Sequence, residues 1–316
     1  MSGSLVSAYD RLLVDLDGTV YAGAAAIPGA AEALTDLPVT YVTNNASRAP
    51  SDVARHLRDL GFSAPDCAVV TSAQAGAGLL ASLVPAGTPV LVVGAPALRA
   101  EVETRGLSVV DRAEDARAVI QGHSPETGWA QLSEAALAIR AGAVWVATNT
   151  DATLPTERGF LVGNGSMVGA VRNATDREPQ VAGKPFTPIF VDAMRAAGAT
   201  TALVVGDRLD TDIEGGNAFG ADTYLVLTGV NDVQDLVRAP DRHQPTFVAE
   251  TLAGLRLPAE ASLPGQRPGW TATVAGDDLI VTAAPGADPA EAVYVAVAAA
   301  RELPEQSRAG LRLSIR

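Results

Sequence analysis

Positive charge is what this sequence has least of. Its 316 residues carry 23 lysines and arginines against 36 acids, a formal net charge of −13. Nucleic acids select basic faces, so they are excluded as a partner class. An anionic substrate would have to be attracted locally, by a metal, a helix N-terminus or a single cation. Lysine is nearly absent: Lys184, in "VAGKPF", is the only one. There is one cysteine, Cys67, which excludes an intramolecular disulfide. It reads as a small buried apolar residue, compatible with a reducing compartment. The three histidines, His56, His123 and His243, are far apart without metal-ligand spacing, which argues against zinc. Aromatic residues make up 4% and form no cluster, which disfavours a substrate that needs stacking, such as a nucleotide or pyridoxal phosphate. No apolar run reaches the ~18 residues a membrane-spanning helix needs. The opening "MSGSLVSAYDRLLVDLDGT" lacks a basic segment followed by a long apolar one, so the expectation is a cytoplasmic protein without a membrane partner.

What is present is a series of short apolar runs that end in polar residues and alternate with helical patterns. "RLLVDLDGT" (11–19), "VTYVTNN" (39–45), "TALVVGDRLDTD" (201–212) and "DTYLVLTG" (222–229) read as buried strands. "SDVARHLRDLGF" (51–62) reads as a helix with Ser51 as N-cap and Gly61 as stop. A second series lies between them. "TPVLVVG", "RAVIQGH" and "AVWVATN" read as strands, and "PALRAEVETRG" and "WAQLSEAALAIRAG" as helices. Such alternation implies α/β architecture with a parallel sheet and helices on both faces. Length suggests roughly two domains. The expected division is a discontinuous first domain, 1–74 and 182–258, with a complete α/β module inserted at 75–181. A Pro/Gly-rich linker follows 258. Then 268–316 reads as a small α+β appendage: a hairpin around Gly276–Asp278, a helix with Asp288 as N-cap, and a last strand at 311–316.

Ligands of open α/β sheets bind outside the carboxyl ends of the strands. Three runs end there with Asp15, Thr43 and Asp207. In "DLDGT", Asp15 and Asp17 share a face if the segment stays extended. Two close carboxylates require a bound cation or a shared proton. "GDRLDTD" adds Asp207, Asp210 and Asp212. Oxygen ligands of this kind suit Mg²⁺. Asp207, first after the strand, is the candidate for direct ligation. Asp212, at a helix start, is placed to orient metal-bound water or Lys184, and Asp210 reads as a solvated bystander.

"DLDGT", "TNN", "GKP" and the Asp207–Asp212 pair occur in the order of the haloacid-dehalogenase-like phosphatases, and together they span most of 11–220. "VTNNASR", "SPETGW", "ATNTDATLPTERG" and "GDRLDTDIEGGNAFG" resemble the NagD/p-nitrophenylphosphatase family within that superfamily, most of all its bacterial glycerol 3-phosphate phosphatases. The resemblance implies a Rossmann-like parallel-sheet core with an inserted α/β cap, and a Mg²⁺-dependent phosphomonoester hydrolase acting through an aspartyl-phosphate. It implies Asp15 as nucleophile and metal ligand. Asp17 would be the acid/base, its main-chain carbonyl also on the metal. Thr43 and Asn44 would bind and position the phosphoryl group. Lys184 would neutralise the phosphate and Asp15, and Asp207 would be the second metal carboxylate. A compact ammonium suits such a crowded pocket where the planar guanidinium fork does not.

An acyl-phosphate enzyme must control water, which a mobile lid does. The loop 149–169 follows the third strand of the insert and looks like the family's specificity region. Asn149, Asp151 and Arg158 either meet a polar substrate there or shape the loop by hydrogen bonding. Gly163–Ser166 reads as a turn into a helix or as a hinge. The expected substrate is a small phosphorylated metabolite, glycerol 3-phosphate by resemblance. Other phosphometabolites remain alternatives: 2-phosphoglycolate, a nucleoside or sugar phosphate, or pyridoxal phosphate. So does a phosphotransferase using the same core. The resemblance also suggests a homodimer. A non-enzymatic binding module is disfavoured by the intact set Asp15, Asp17, Thr43, Lys184 and Asp207. "EQSRAGLR" (305–312) lacks the loop with which acetyltransferases hold coenzyme A, so a packing role is expected for the appendage.

Overall fold

The computed structural model describes residues 3–156 and 158–316. The chain folds as two compact units, Met1–Val39 with Ala199–Arg316, and Thr40–Gly198.

In the first unit, four parallel strands lie in the order Phe247–Ala249, Asp222–Val226, Ala202–Gly206, Arg11–Val14. Their apolar runs do not alternate because both faces are covered; Leu12, Leu13, Val14, Leu203, Val204 and Val205 are all buried. Val14 pairs with Val205, and the Asp15 N–H donates to the Val205 carbonyl at 2.8 Å. The chain therefore leaves both central strands at the same level, carrying Asp15 and Asp207 to one edge.

The appendage is an antiparallel hairpin, Trp270–Ala275 and Asp278–Ala283, with Arg312–Ile315 added parallel to its second strand. Asp288 caps the following turn by accepting from the Ala290 N–H, as expected. The helix Ala292–Arg301 is apolar on two faces. Ala292, Val295, Ala296 and Ala300 pack with Trp270, Leu279 and Val281 of the appendage sheet. Val293 and Val297 pack with Leu209, Ile213, Leu225, Leu236 and Val248 of the core. The Pro/Gly-rich linker is held in place too: Gly265 N–H donates to the Tyr294 carbonyl, and the Arg267 guanidinium lies 4.5 Å from the Tyr294 ring centre.

The second unit holds a five-stranded parallel sheet, ordered Gln180–Val181, Val144–Ala147, Ala118–Gln121, Pro89–Val93, Ser108–Val110. Helices Ser72–Leu83 and Pro96–Thr104 cover one face, Trp129–Arg140 and Asn164–Thr175 the other. It also holds most of the strand Val39–Thr43, which pairs in parallel with Val69–Thr71. The unit extends past 75–181 on both sides because Ser72–Leu83 packs both on this sheet and on the helix Pro188–Ala197.

Three local expectations are corrected. The helix at 51–62 begins one residue earlier, at Pro50, which takes its first turn, so Ser51 lies inside and Ala49 is the N-cap. Cys67 is exposed, not buried, because it sits in the 3₁₀ turn Asp66–Ala68 before the strand rather than within it. The region 149–169 is not a plain loop. It contains the antiparallel strands Thr153–Thr156 and Gly159–Val162, and then the helix Asn164–Thr175 with Gly163 as N-cap. Of the two readings of Gly163–Ser166, the turn into a helix is the one the structure shows.

Candidate active site

Each unit assembles one group of polar side chains. In the first, Asp15, Asp207 and Asp212 offer carboxylate oxygens that lie within 4.8 Å of one another. Asp207 and Asp212 are fully buried and Asp15 is partly so. Asp15 and Asp207 arrive from adjacent parallel strands. Asp212 returns to them through a π-helical turn, Leu209–Ile213, and its Oδ2 accepts from the Arg208 N–H at 3.2 Å. Asp212 is thus a third member of the acidic cluster, where sequence reasoning places it behind the metal ligands.

Asp207 is held on both oxygens. Thr19 Oγ1 donates to Oδ1 at 3.3 Å, and the Val230 N–H donates to Oδ2 at 2.8 Å. Two glycines let the main chain come this close. Gly18 has φ +83°, and a Cβ on it would collide with the Asp207 carboxylate; a Cβ on Gly229 would do the same. Thr228 Oγ1 closes the loop by donating to the Gly18 carbonyl at 2.7 Å. These roles of Thr19, Thr228 and Val230 are not expected from the sequence. The signal for them is the tight "TG" at 228–229, just past the carboxyl end of a buried strand. Asp17 lies outside the cluster. Its side chain is exposed, and Oδ2 accepts from the Tyr21 hydroxyl at 3.4 Å. Asp210 stays apart, taking both Nε and Nη2 of Arg208. Burial would raise its pKa, but the Arg208 hydrogen bonds and charge prevail and hold it below the ordinary carboxylate value.

Three carboxylates converging in a buried place cannot all ionise without a cation. The donor set is all oxygen, in a small cluster, which fits Mg²⁺ rather than a soft metal.

The second unit gathers Thr43, Asn44, Asn149, Asp151 and Lys184. The Thr43 hydroxyl accepts from the Asn45 N–H at 3.1 Å, so its own proton is the part available to a ligand. Asn44 has no such proton left. Its Nδ2 donates to the Lys184 carbonyl at 2.9 Å and to Asp151 Oδ2 at 3.1 Å, while its Oδ1 accepts from the Lys184 N–H at 2.8 Å. The Asn44 carbonyl in turn accepts from Ser72 Oγ at 2.6 Å and Asn149 Nδ2 at 2.7 Å. Lys184 is 3% exposed, with Nζ donating to the Val42 carbonyl at 3.2 Å. Asn149 and Asp151 are therefore engaged in shaping the site. Asn164, on the next helix, donates to the Asn149 carbonyl at 2.7 Å. Arg158 is exposed, between the strands Thr153–Thr156 and Gly159–Val162.

The chain as a whole has known relatives. The sequence matches the family described as haloacid dehalogenase-like hydrolase over residues 12–108, and a second, HAD-hydrolase-like, family over 181–255. It is 50% identical over 283 residues to the D-glycerol 3-phosphate phosphatase of Mycobacterium tuberculosis, an alignment covering 89% of this chain and 80% of that protein. The chain belongs to the haloacid dehalogenase-like hydrolase family. An acid sugar phosphatase of Staphylococcus epidermidis is 38% identical over 235 residues, covering 72% of this chain and 90% of that one. Among solved structures, the M. tuberculosis glycerol phosphate phosphatase in complex with magnesium superposes with a TM-score of 0.93 at 46% identity, covering 100% of this chain and 95% of the other. A thermostable NPPase from Geobacillus stearothermophilus superposes at 0.72 with 34% identity, covering 78% of this chain and 97% of the other.

Proposed function

We propose that this chain is a Mg²⁺-dependent phosphomonoester hydrolase acting on D-glycerol 3-phosphate, releasing glycerol and phosphate. The observation that carries the reading is the converging trio Asp15, Asp207 and Asp212 in a chain 50% identical over 283 residues to a D-glycerol 3-phosphate phosphatase. Asp15, Asp207 and the main-chain carbonyl of Asp17 would hold Mg²⁺, and the position of Asp212 supports a role at the same ion. Bound there, the ion supplies positive charge against the phosphoryl oxygens.

The protein's own groups would do the rest. Asp15 attacks phosphorus, forming an acyl-phosphate bond as the ester P–O bond breaks. Asp17 gives its proton to the departing alkoxide. Its exposure and its position outside the acidic trio support a role in proton transfer for its side chain rather than metal binding. A water then attacks phosphorus, Asp17 takes the proton, and the Asp15 carboxylate is restored. Thr43 donates its hydroxyl proton to a phosphoryl oxygen, and Lys184 neutralises the group being transferred. Asn44 acts by holding Lys184.

In this reading 1–74 and 182–258 form the catalytic core, 75–181 the cap and 268–316 the appendage, with Asn149, Asp151 and Arg158 at the specificity end of the cap. A cytoplasmic location and a homodimer complete it; light scattering on the purified chain tests the latter. The decisive test is phosphate release from a panel of glycerol 3-phosphate, 2-phosphoglycolate, pyridoxal phosphate, UMP and p-nitrophenyl phosphate. Each is run with Mg²⁺, with EDTA and with Asp15→Asn. Metal-dependent release that ranks glycerol 3-phosphate first supports the reading. Release without metal, or undiminished in the variant, overturns it. Transfer to an added alcohol in place of water would identify a phosphotransferase.

A further inference from the structure

A second cationic place exists where the appendage meets the core. A cavity of about 380 Å³ is lined by Asp241, Gln244, Pro245, Thr246, Arg301 and Arg308. Two guanidiniums close together are unusual in a chain of net charge −13. Arg308 is 2% exposed, donates Nη2 to Asp241, and has its Nε buried with no hydrogen-bond partner. Arg301 donates Nε to Gln244 Oε1 at 2.9 Å and Nη2 to the Pro245 carbonyl. Burial, and then the neighbouring Arg308, push the Arg301 pKa below its ordinary value. The other groups nearby are spoken for. Thr246 Oγ1 donates to Asp222, and Glu305 accepts from the Asp241 N–H.

A simple staple between core and appendage would not place like charges side by side, nor bury a donor without an acceptor. Among the described residues, the carboxylate that pairs with Arg308 is that of Asp241, and its side chain is 76% exposed. It occupies the place of an anion while remaining able to swing into solvent.

We propose that the cavity lined by Arg301 and Arg308 binds a small phosphate-class dianion, with Asp241 as the built-in competitor that the ligand displaces. Paired guanidiniums match oxyanions through forked donors, and two of them match a dianion better than a single carboxylate. The site is separate from the catalytic carboxylates and holds whether or not the substrate assignment does.

Calorimetric titration of the full-length chain in EDTA with inorganic phosphate tests this. Wild type, Asp241→Asn and Arg301→Gln are compared, since any phosphate held at the catalytic site contributes equally to all three. The proposal expects Asp241→Asn to bind about tenfold tighter, because the competing charge is gone, and Arg301→Gln to bind about tenfold weaker. Asp241 is exposed, so its variant folds, and a staple role would not make it a better binder. An isotherm unchanged in Asp241→Asn overturns the proposal. Repeating the series with glycerol 3-phosphate in the Asp15→Asn background separates the two sources. An equal response assigns the site to the phosphoryl group itself, and a response to the ester alone assigns it to the whole metabolite.

Discussion

The side-chain amide of Asn44 pairs with the main chain of Lys184 in both directions, accepting from its N–H at 2.8 Å and donating to its carbonyl at 2.9 Å. Residues 140 apart in sequence are thereby locked as if they were neighbours in a sheet. Removing the amide should loosen the lysine without touching any reacting atom. We expect Asn44→Ala to lower kcat by about 10²-fold, the scale of a mispositioned charge, with KM moving less. Circular dichroism and steady-state kinetics check this; a KM effect with full kcat would contradict it.

Lys184 itself is buried beside the Val42 carbonyl. A guanidinium is larger and planar, so Lys184→Arg should fold but lose about 10²–10³-fold in kcat. Lys184→Met should lose at least as much. Turnover near wild type in the arginine variant would remove the argument that only a compact ammonium fits.

Gly229 abuts the Asp207 carboxylate so closely that a Cβ would collide with it. Gly229→Ala must displace either the carboxylate or the loop that supplies the Val230 N–H. Supporting contacts of this kind tune metal affinity, so Mg²⁺ dependence should shift by about 10–100-fold while activity at saturating Mg²⁺ recovers in part. A Mg²⁺ titration of activity, with Thr19→Val as a milder companion, reads this out.

Asp10 accepts hydrogen bonds from the Thr200 and Thr201 N–H groups and the Thr200 hydroxyl at the start of the paired central strands. Those bonds from Thr200, more than anything else, hold its pKa below the ordinary carboxylate value of 3.8. A depressed folded-state pKa stabilises the fold fully above the unfolded value. That stability is lost as pH falls through the lower folded value. Asp10→Asn should therefore lower Tm at neutral pH, and the gap from wild type should narrow as pH falls below about 4. Thermal melts across pH measure it.

The candidate catalytic residues are readable in the sequence where chemistry concentrates. Asp15 and Asp207 stand immediately after apolar strands and Thr43 is the last residue of one, and that position alone brings such residues to a strand end. Lys184 stands out because nothing else in the chain resembles it. What stays hidden depends on partners far away in sequence. Nothing in "TNN" says that the Asn44 amide is fully engaged by Lys184 and Asp151, and nothing in "LDTD" announces the π-helical turn that swings Asp212 inward. The strands Thr153–Thr156 and Gly159–Val162 escape the sequence reading because a short, glycine-flanked segment such as the exposed Gly159–Val162 reads as loop when no buried face enforces alternation. The two-faced helix Ala292–Arg301 is legible as a helix. Its second face is not, because alanine and valine around most of the circumference carry no direction.

The first unit joins Met1–Val39 to Ala199–Arg316, with all of Thr40–Gly198 between them. On the ribosome, the strand that ends beside Asp15 therefore emerges long before the strand Ala202–Gly206 with which it pairs. The intervening unit can close on itself while the strand that ends at Asp15 still lacks its pairing with Ala202–Gly206. Its pairing is among the most non-local in the chain, a type of contact that forms late and slowly. The acidic trio, drawn from both sides of that gap, cannot assemble until the whole of Thr40–Gly198 has been made.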